Sequence, residues 1–147
     1  MKKREKLAIV NQPHNNHITT MIAPENAPHE ADRIDELHAC QILDTQPEER
    51  FDRVTRLAQK VFDVDIAVVS LVDSERQWFK SIQGLDARET PRSISFCGHA
   101  ILQEDVFMIE DATKDERFHD NPLVTGAPHI RFYAGVPLES VAGHKLG

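Results

Sequence analysis

The 147-residue chain is 40% hydrophobic and 28% charged, enough for one domain with a single buried core. Its formal net charge of −7 excludes nucleic acid and anionic membrane as expected partners, because both require basic patches. Cys40 and Cys97 form neither a disulfide framework nor a metal-knuckle spacing, which fits a reducing cytoplasm.

Residues 1–29 read as a flexible N-terminal tail, since their Asn-, Pro- and His-rich runs offer no periodicity and little to bury. Leu7 to Val10 is far too short for a signal-peptide core, and no other stretch could insert in a membrane. Beyond residue 29 the balance sharpens to 13 Lys and Arg against 22 Asp and Glu.

Ile34, Leu37, Cys40 and Leu43 step along one side of an expected first helix. Pro47, with Glu48 and Glu49 behind it, suits the first turn of a second. There Phe51, Val54, Leu57, Ala58, Val61 and Phe62 repeat at helical spacing, and the expectation is that this stripe faces the sheet as core. Asp65 to Val72 is a β-branched run, read as a strand covered on both faces. Arg76 to Gln83 alternates and supplies its hairpin partner.

Ser95, placed before Phe96, Ala100 and Ile101, reads as the N-cap of a short helix. Cys97 and His99 fall in its first turn. A short strand is expected at Val106 to Ile109, then a long connection from Glu110 to His129. One helical turn is expected within it near Thr113, with Asn121-Pro122 as a break. Ile130 to Leu138 reads as another strand, and Gly143 as a turn.

With these residues in view the chain resembles a GAF domain, a relative of the PAS sensor fold. The likeness is to modules at the N-termini of bacterial sensor histidine kinases and diguanylate cyclases. It rests on Ile42-Leu43-Asp44-Thr45 with Pro47-Glu48-Glu49-Arg50-Phe51-Asp52, and on Val69-Ser70-Leu71-Val72-Asp73 with Arg76-Gln77-Trp78-Phe79-Lys80-Ser81. Ser95-Phe96-Cys97, His99-Ala100-Ile101, Arg117-Phe118, Asn121-Pro122-Leu123-Val124 and Phe132-Tyr133-Ala134-Gly135 continue it. The resemblance implies an α+β fold over residues 30–147, an antiparallel sheet flanked by helices. It also implies a further strand beside the first one and a C-terminal helix, and the chain ends at Gly147 before them.

By resemblance a small-molecule cavity lies between the sheet and the connecting segments, where Ser95, Cys97, His99, Asp111, His129 and Arg131 are the polar candidates. Four readings stand side by side. The first is a cytoplasmic sensory input module that binds a small ligand or senses redox state and relays it to an effector domain, kinase or cyclase. The second is a thiol enzyme resembling free methionine-R-sulfoxide reductases, which needs a second cysteine where this chain has residues 130–133. The third is a metal or chromophore site, for which Cys97-x-His99 supplies only two ligands at an unsuitable spacing. The last is a homodimerisation module that pairs through the first helix. The input module is preferred, without catalytic residues of its own; the sequence identifies no cofactor.

Overall fold

The computed structural model describes residues 21–147, and its first element already departs from simple periodicity. Helix α1 (Glu30–Ala39) buries Leu37 together with Arg33, while Cys40 caps its C-terminus in an exposed position. Arg33 tolerates burial because each of its three guanidinium nitrogens finds an acceptor. Its Nη2 and Nε lie 2.8 and 3.0 Å from the Glu30 carboxylate, and Nη1 lies 2.7 Å from the Val72 carbonyl oxygen.

Helix α2 (Glu49–Phe62) follows, with Glu48 rather than Pro47 at its cap position. Its orientation corrects the sequence expectation. Leu57 is 59% exposed, Val54 54%, Val61 64% and Phe62 73%, so the apolar stripe faces outward. Contact with the sheet is made instead by a polar line. Buried Thr55 Oγ1 sits 2.8 Å from Ser81 Oγ, which donates to Asp52 Oδ1 at 2.5 Å, and Gln83 Nε2 donates to Thr55 Oγ1 at 3.2 Å. These hydroxyls find each other only when the other face of the helix points to solvent.

Strand β1 (Ala67–Val72) pairs antiparallel with β2 (Arg76–Gln83), whose far edge takes β3 (Glu89–Pro91). Leu71 stands opposite Trp78, and the register shifts between Val69 and Ser70. Only Ser70 to Val72 of β1 is buried; the half before the shift is partly exposed, which narrows the expectation of cover on both faces. The bulge also explains how Lys80 can be buried: its Nζ meets Thr45 Oγ1 at 2.7 Å, the Gln46 carbonyl at 2.8 Å and Glu48 Oε1 at 2.8 Å. The link between α1 and α2 is thereby fastened to the sheet.

A 3-10 turn over Arg92–Ile94 leads into α3 (Phe96–Ala100). Strand β4 (Phe107–Ile109) pairs antiparallel with β5 (Tyr133–Gly135), so the strand expected over residues 130–138 is reduced to three. The connection between them contains a 3-10 turn, Ala112–Lys114, and a helix, α4 (Pro122–Thr125). Asn121-Pro122 starts this helix rather than breaking the chain: Asn121 Oδ1 accepts from Leu123 N at 2.9 Å and Pro122 takes the first turn.

The two sheets meet through the residues after the Gly143 turn, whose φ of +89° suits glycine. Val72 N donates to the Leu146 carbonyl at 2.9 Å, while Leu146 N donates to Leu138 O at 2.8 Å and Leu138 N to Gly147 O at 2.6 Å. Residues 144–147 therefore lie beside β1, the position the family resemblance gives to the strand after that turn. Leu37, Leu71, Trp78 and Leu146 form one core cluster; Phe96, Ala100, Phe107, Ile109, Ala112, Phe118 and Val124 form the other large one. Among the described residues no helix is long and apolar enough to cross a membrane.

Candidate functional site

Ser95 closes the start of α3 completely. Its Oγ accepts from Gly98 N at 3.1 Å and donates to the Arg92 carbonyl at 2.7 Å, so both of its roles are taken within the loop. Two residues later Cys97 packs in the core against Val72 of β1. Its sulfur is 3.3 Å from Gln77 Nε2 and 3.2 Å from the Tyr133 hydroxyl. Burial pushes the Cys97 thiol up and keeps it protonated, and burial likewise raises Tyr133 well above the ordinary tyrosine range.

His99 is also buried. Its Nε2 lies 3.0 Å from the carbonyl oxygen of Ile22, and its ring meets the Phe118 ring edge-on at 4.8 Å. Burial lowers its pKa and outweighs the favourable Ile22 carbonyl, and Arg117 adds to the lowering. The Ile22 contact belongs to a longer strap. Pro24 lies so close to Gly98 that a Cβ there would come within 2.6 Å of Pro24 Cγ. Glycine at 98 is what lets the chain pass over α3. The strap runs on into α1, and Ala27 N is held by Glu30 Oε2 at 3.1 Å. Of the tail expected over residues 1–29, Ile22, Pro24 and Ala27 thus touch α3 or α1, and residues 1–20 fall outside the described part.

Glu30 makes the second tie between α1 and the approach to α3. It bonds Arg92 Nη1 across 62 residues, and Arg92 also donates to the Asp73 carbonyl at 3.1 Å. Burial alone would raise the Glu30 pKa; hydrogen bonds from Arg33 and Arg92 overcome it and bring the carboxyl down to about 2.

The space between α3 and the connection is filled by aromatic rings. Phe96 stacks on Phe118 with centroids 4.2 Å apart, and Tyr133 lies 5.1 Å from Phe96 and 5.8 Å from Phe107. Arg117, paired with Asp115 at 2.7 Å, sits 5.0 Å above the Phe107 ring. An open groove of about 450 Å³ lies elsewhere, along β3 and residues 73–76, and none of the six candidates lines it.

The other three candidates occupy the connection and do not join this group. Asp111 caps the 3-10 turn, its Oδ1 accepting from Thr113 N at 3.0 Å and Thr113 Oγ1 at 2.6 Å. His129 is exposed, with φ +59°. Arg131 is exposed too, and its Nη1 donates to the carbonyls of Val124 and Ile130, each at 3.0 Å. Sequence reasoning missed Gln77, Tyr133, Arg92, Glu30 and the strap. The signal available for the strap was Gly98, a glycine inside a helix with no turn to make. Among the described residues, no three His, Cys, Asp or Glu side chains gather as metal ligands.

The family model for the GAF domain matches residues 46–147. A cyclic di-GMP phosphodiesterase of Pseudomonas aeruginosa is 48% identical over 106 residues, which cover 72% of this chain. The match covers 18% of that relative, so the chain spans under a fifth of its length.

Proposed function

The chain belongs to the GAF family, and from that premise we propose that it is the regulatory input module of a signal-transduction protein. The observation that carries this reading is the strap. His99 on α3 holds the Ile22 carbonyl, and residues 22–29 lead directly into α1, whose first residue is bonded to Arg92 just ahead of α3. A change at α3 is therefore a change in what holds the start of α1. A coupling of that kind needs two sites and an element with two arrangements. The strap, docked or released, is the element.

The signal is received at Ser95, Cys97 and His99, with Asp111, His129 and Arg131 on the flanking connection. A small ligand seated there must displace part of the aromatic packing and compete for His99. Direct redox sensing is the weaker form, because the Cys97 sulfur is buried against Gln77 and Tyr133. The same burial argues against a thiol enzyme, and Cys40 stands on α1 rather than beside Cys97.

The output is one that acts on cyclic di-GMP, in the same polypeptide or in a partner. The relative in Pseudomonas aeruginosa favours this over a histidine kinase. The test is a chimera in which residues 21–147 replace the matched segment of that phosphodiesterase, assayed with and without Gly98→Ala. Regulation through the strap predicts retained hydrolysis whose rate shifts by about fivefold or more on substitution, the lower end of ordinary allosteric coupling. Hydrolysis indifferent to Gly98→Ala would remove the strap from the mechanism.

A further inference from the structure

We propose that the outward face of α2 is a docking surface for an acidic amphipathic helix. This goes beyond the input-module reading and does not depend on it. Val54, Leu57 and Val61 stand at the i, i+3, i+7 spacing by which one helix anchors another, and each is more than half exposed, with Phe62 at the rim. At about 100° per residue, Leu57, Arg50, Val61 and Val54 follow one another within roughly 60° of the helix surface, with Arg53 and Lys60 along one side. All three cations are exposed; Arg50 is already paired with Glu48 at 2.7 Å, whereas among the described residues Arg53 and Lys60 have no carboxylate within ion-pair distance. Arg53 and Lys60 thus form a cationic margin beside the apolar stripe, in a chain of net charge −7.

Charge decides between occupants. A second copy of α2 fits poorly. Parallel pairing on this stripe stacks Arg50 on Arg50, and antiparallel pairing brings Arg53 against Lys60. An anionic bilayer would meet three cations on one helix but the net negative charge of the whole chain. A helix with leucine or valine along its seam and glutamate along its margins satisfies both features at once. Its acids meet Arg53 and Lys60, while its seam covers Val54, Leu57 and Val61.

The test uses the 147-residue chain and two fluorescent helical peptides of equal length. Both carry Leu at the seam; one has Glu at the margins and the other Lys. Docking predicts that the Glu peptide binds and the Lys peptide does not, with binding weakened by salt. Leu57→Asp should weaken binding by roughly 30-fold or more, as for a central hot-spot residue. The double variant Arg53→Glu, Lys60→Glu should weaken the Glu peptide at least about tenfold and confer binding of the Lys peptide. That gain rules out simple unfolding, and circular dichroism of each variant confirms its fold. Four outcomes would each overturn the proposal: no peptide binding, equal binding of both peptides, tighter binding to phosphatidylserine vesicles than to the Glu peptide, or dimerisation in sedimentation that Leu57→Asp abolishes.

Discussion

His99 Nε2 on α3 lies 3.0 Å from the main-chain carbonyl of Ile22, a residue that precedes it by 77 positions. The contact fastens a segment without secondary structure to the most buried helix of the domain. Burial of the His99 ring, which outweighs this contact, gives the fold a measurable response to acid. The His99 pKa is lowered below the ordinary histidine value of 6.5, so the unfolded chain takes up a proton that the folded chain resists. Stability should therefore be full above pH 6.5 and fall as pH drops below it, levelling off once the folded imidazole is itself protonated. Thermal melts from pH 8 to 5 check this. His99→Gln should flatten the slope in that window.

Glu30 predicts a second and separate acid transition. With its pKa brought to about 2 from 4.5, its contribution is present above pH 4.5 and lost as pH falls toward 2. Glu30→Gln leaves Arg33 and Arg92 buried without their counter-charge and should cost about 3 kcal/mol at neutral pH, the scale for one partner removed from a buried pair. Urea denaturation of both proteins measures it.

On α2 the structure predicts an inversion of what its periodicity suggests. Leu57→Ala should change the stability of the monomer by less than about 0.5 kcal/mol, since the side chain is exposed. Thr55→Ala should cost about 1–3 kcal/mol by leaving Ser81 and Gln83 short of a partner in the interface. Chemical denaturation at low protein concentration compares the two directly.

The cysteines should separate cleanly by rate. Cys40 is exposed and should react with a thiol reagent at neutral pH in a single fast phase. Cys97, buried and held protonated, should react only through unfolding. A denaturant series on Cys40→Ala, read by thiol labelling, tests this; fast labelling in native buffer would contradict it.

What the sequence disclosed was local. Ser95 announces its own helix because a cap and the turn it closes are neighbours, and the hairpin strand at Arg76–Gln83 has the bounds its alternation predicts. The family motifs also find their reasons nearby in space: Asp44 pairs with Arg76 at 2.8 Å, and Thr45 and Glu48 satisfy buried Lys80. The errors come where one face must be chosen without its partner in view. Periodicity marks the apolar stripe of α2 but says nothing of the Thr55–Ser81 link that turns it outward. Asn121-Pro122 reads as a break from sequence alone, yet an Asn cap followed by Pro is also how helices begin. The Ile22–His99 contact joins two stretches with no shared pattern, and only Gly98 hinted that something passes close by.

The most direct measurement of the coupling between α3 and α1 is amide hydrogen exchange on the wild type and Gly98→Ala. The added methyl group would come within 2.6 Å of both Pro24 Cγ and Ser95 Oγ, so the strap and the Ser95 cap are pushed from their places together. If the strap transmits the state of α3, exchange should quicken at residues 22–37 as well as at α3, while the amides of β2 paired with β1 stay protected. Faster exchange confined to residues 95–101, or spread evenly over the whole domain, would contradict a specific link from α3 to α1.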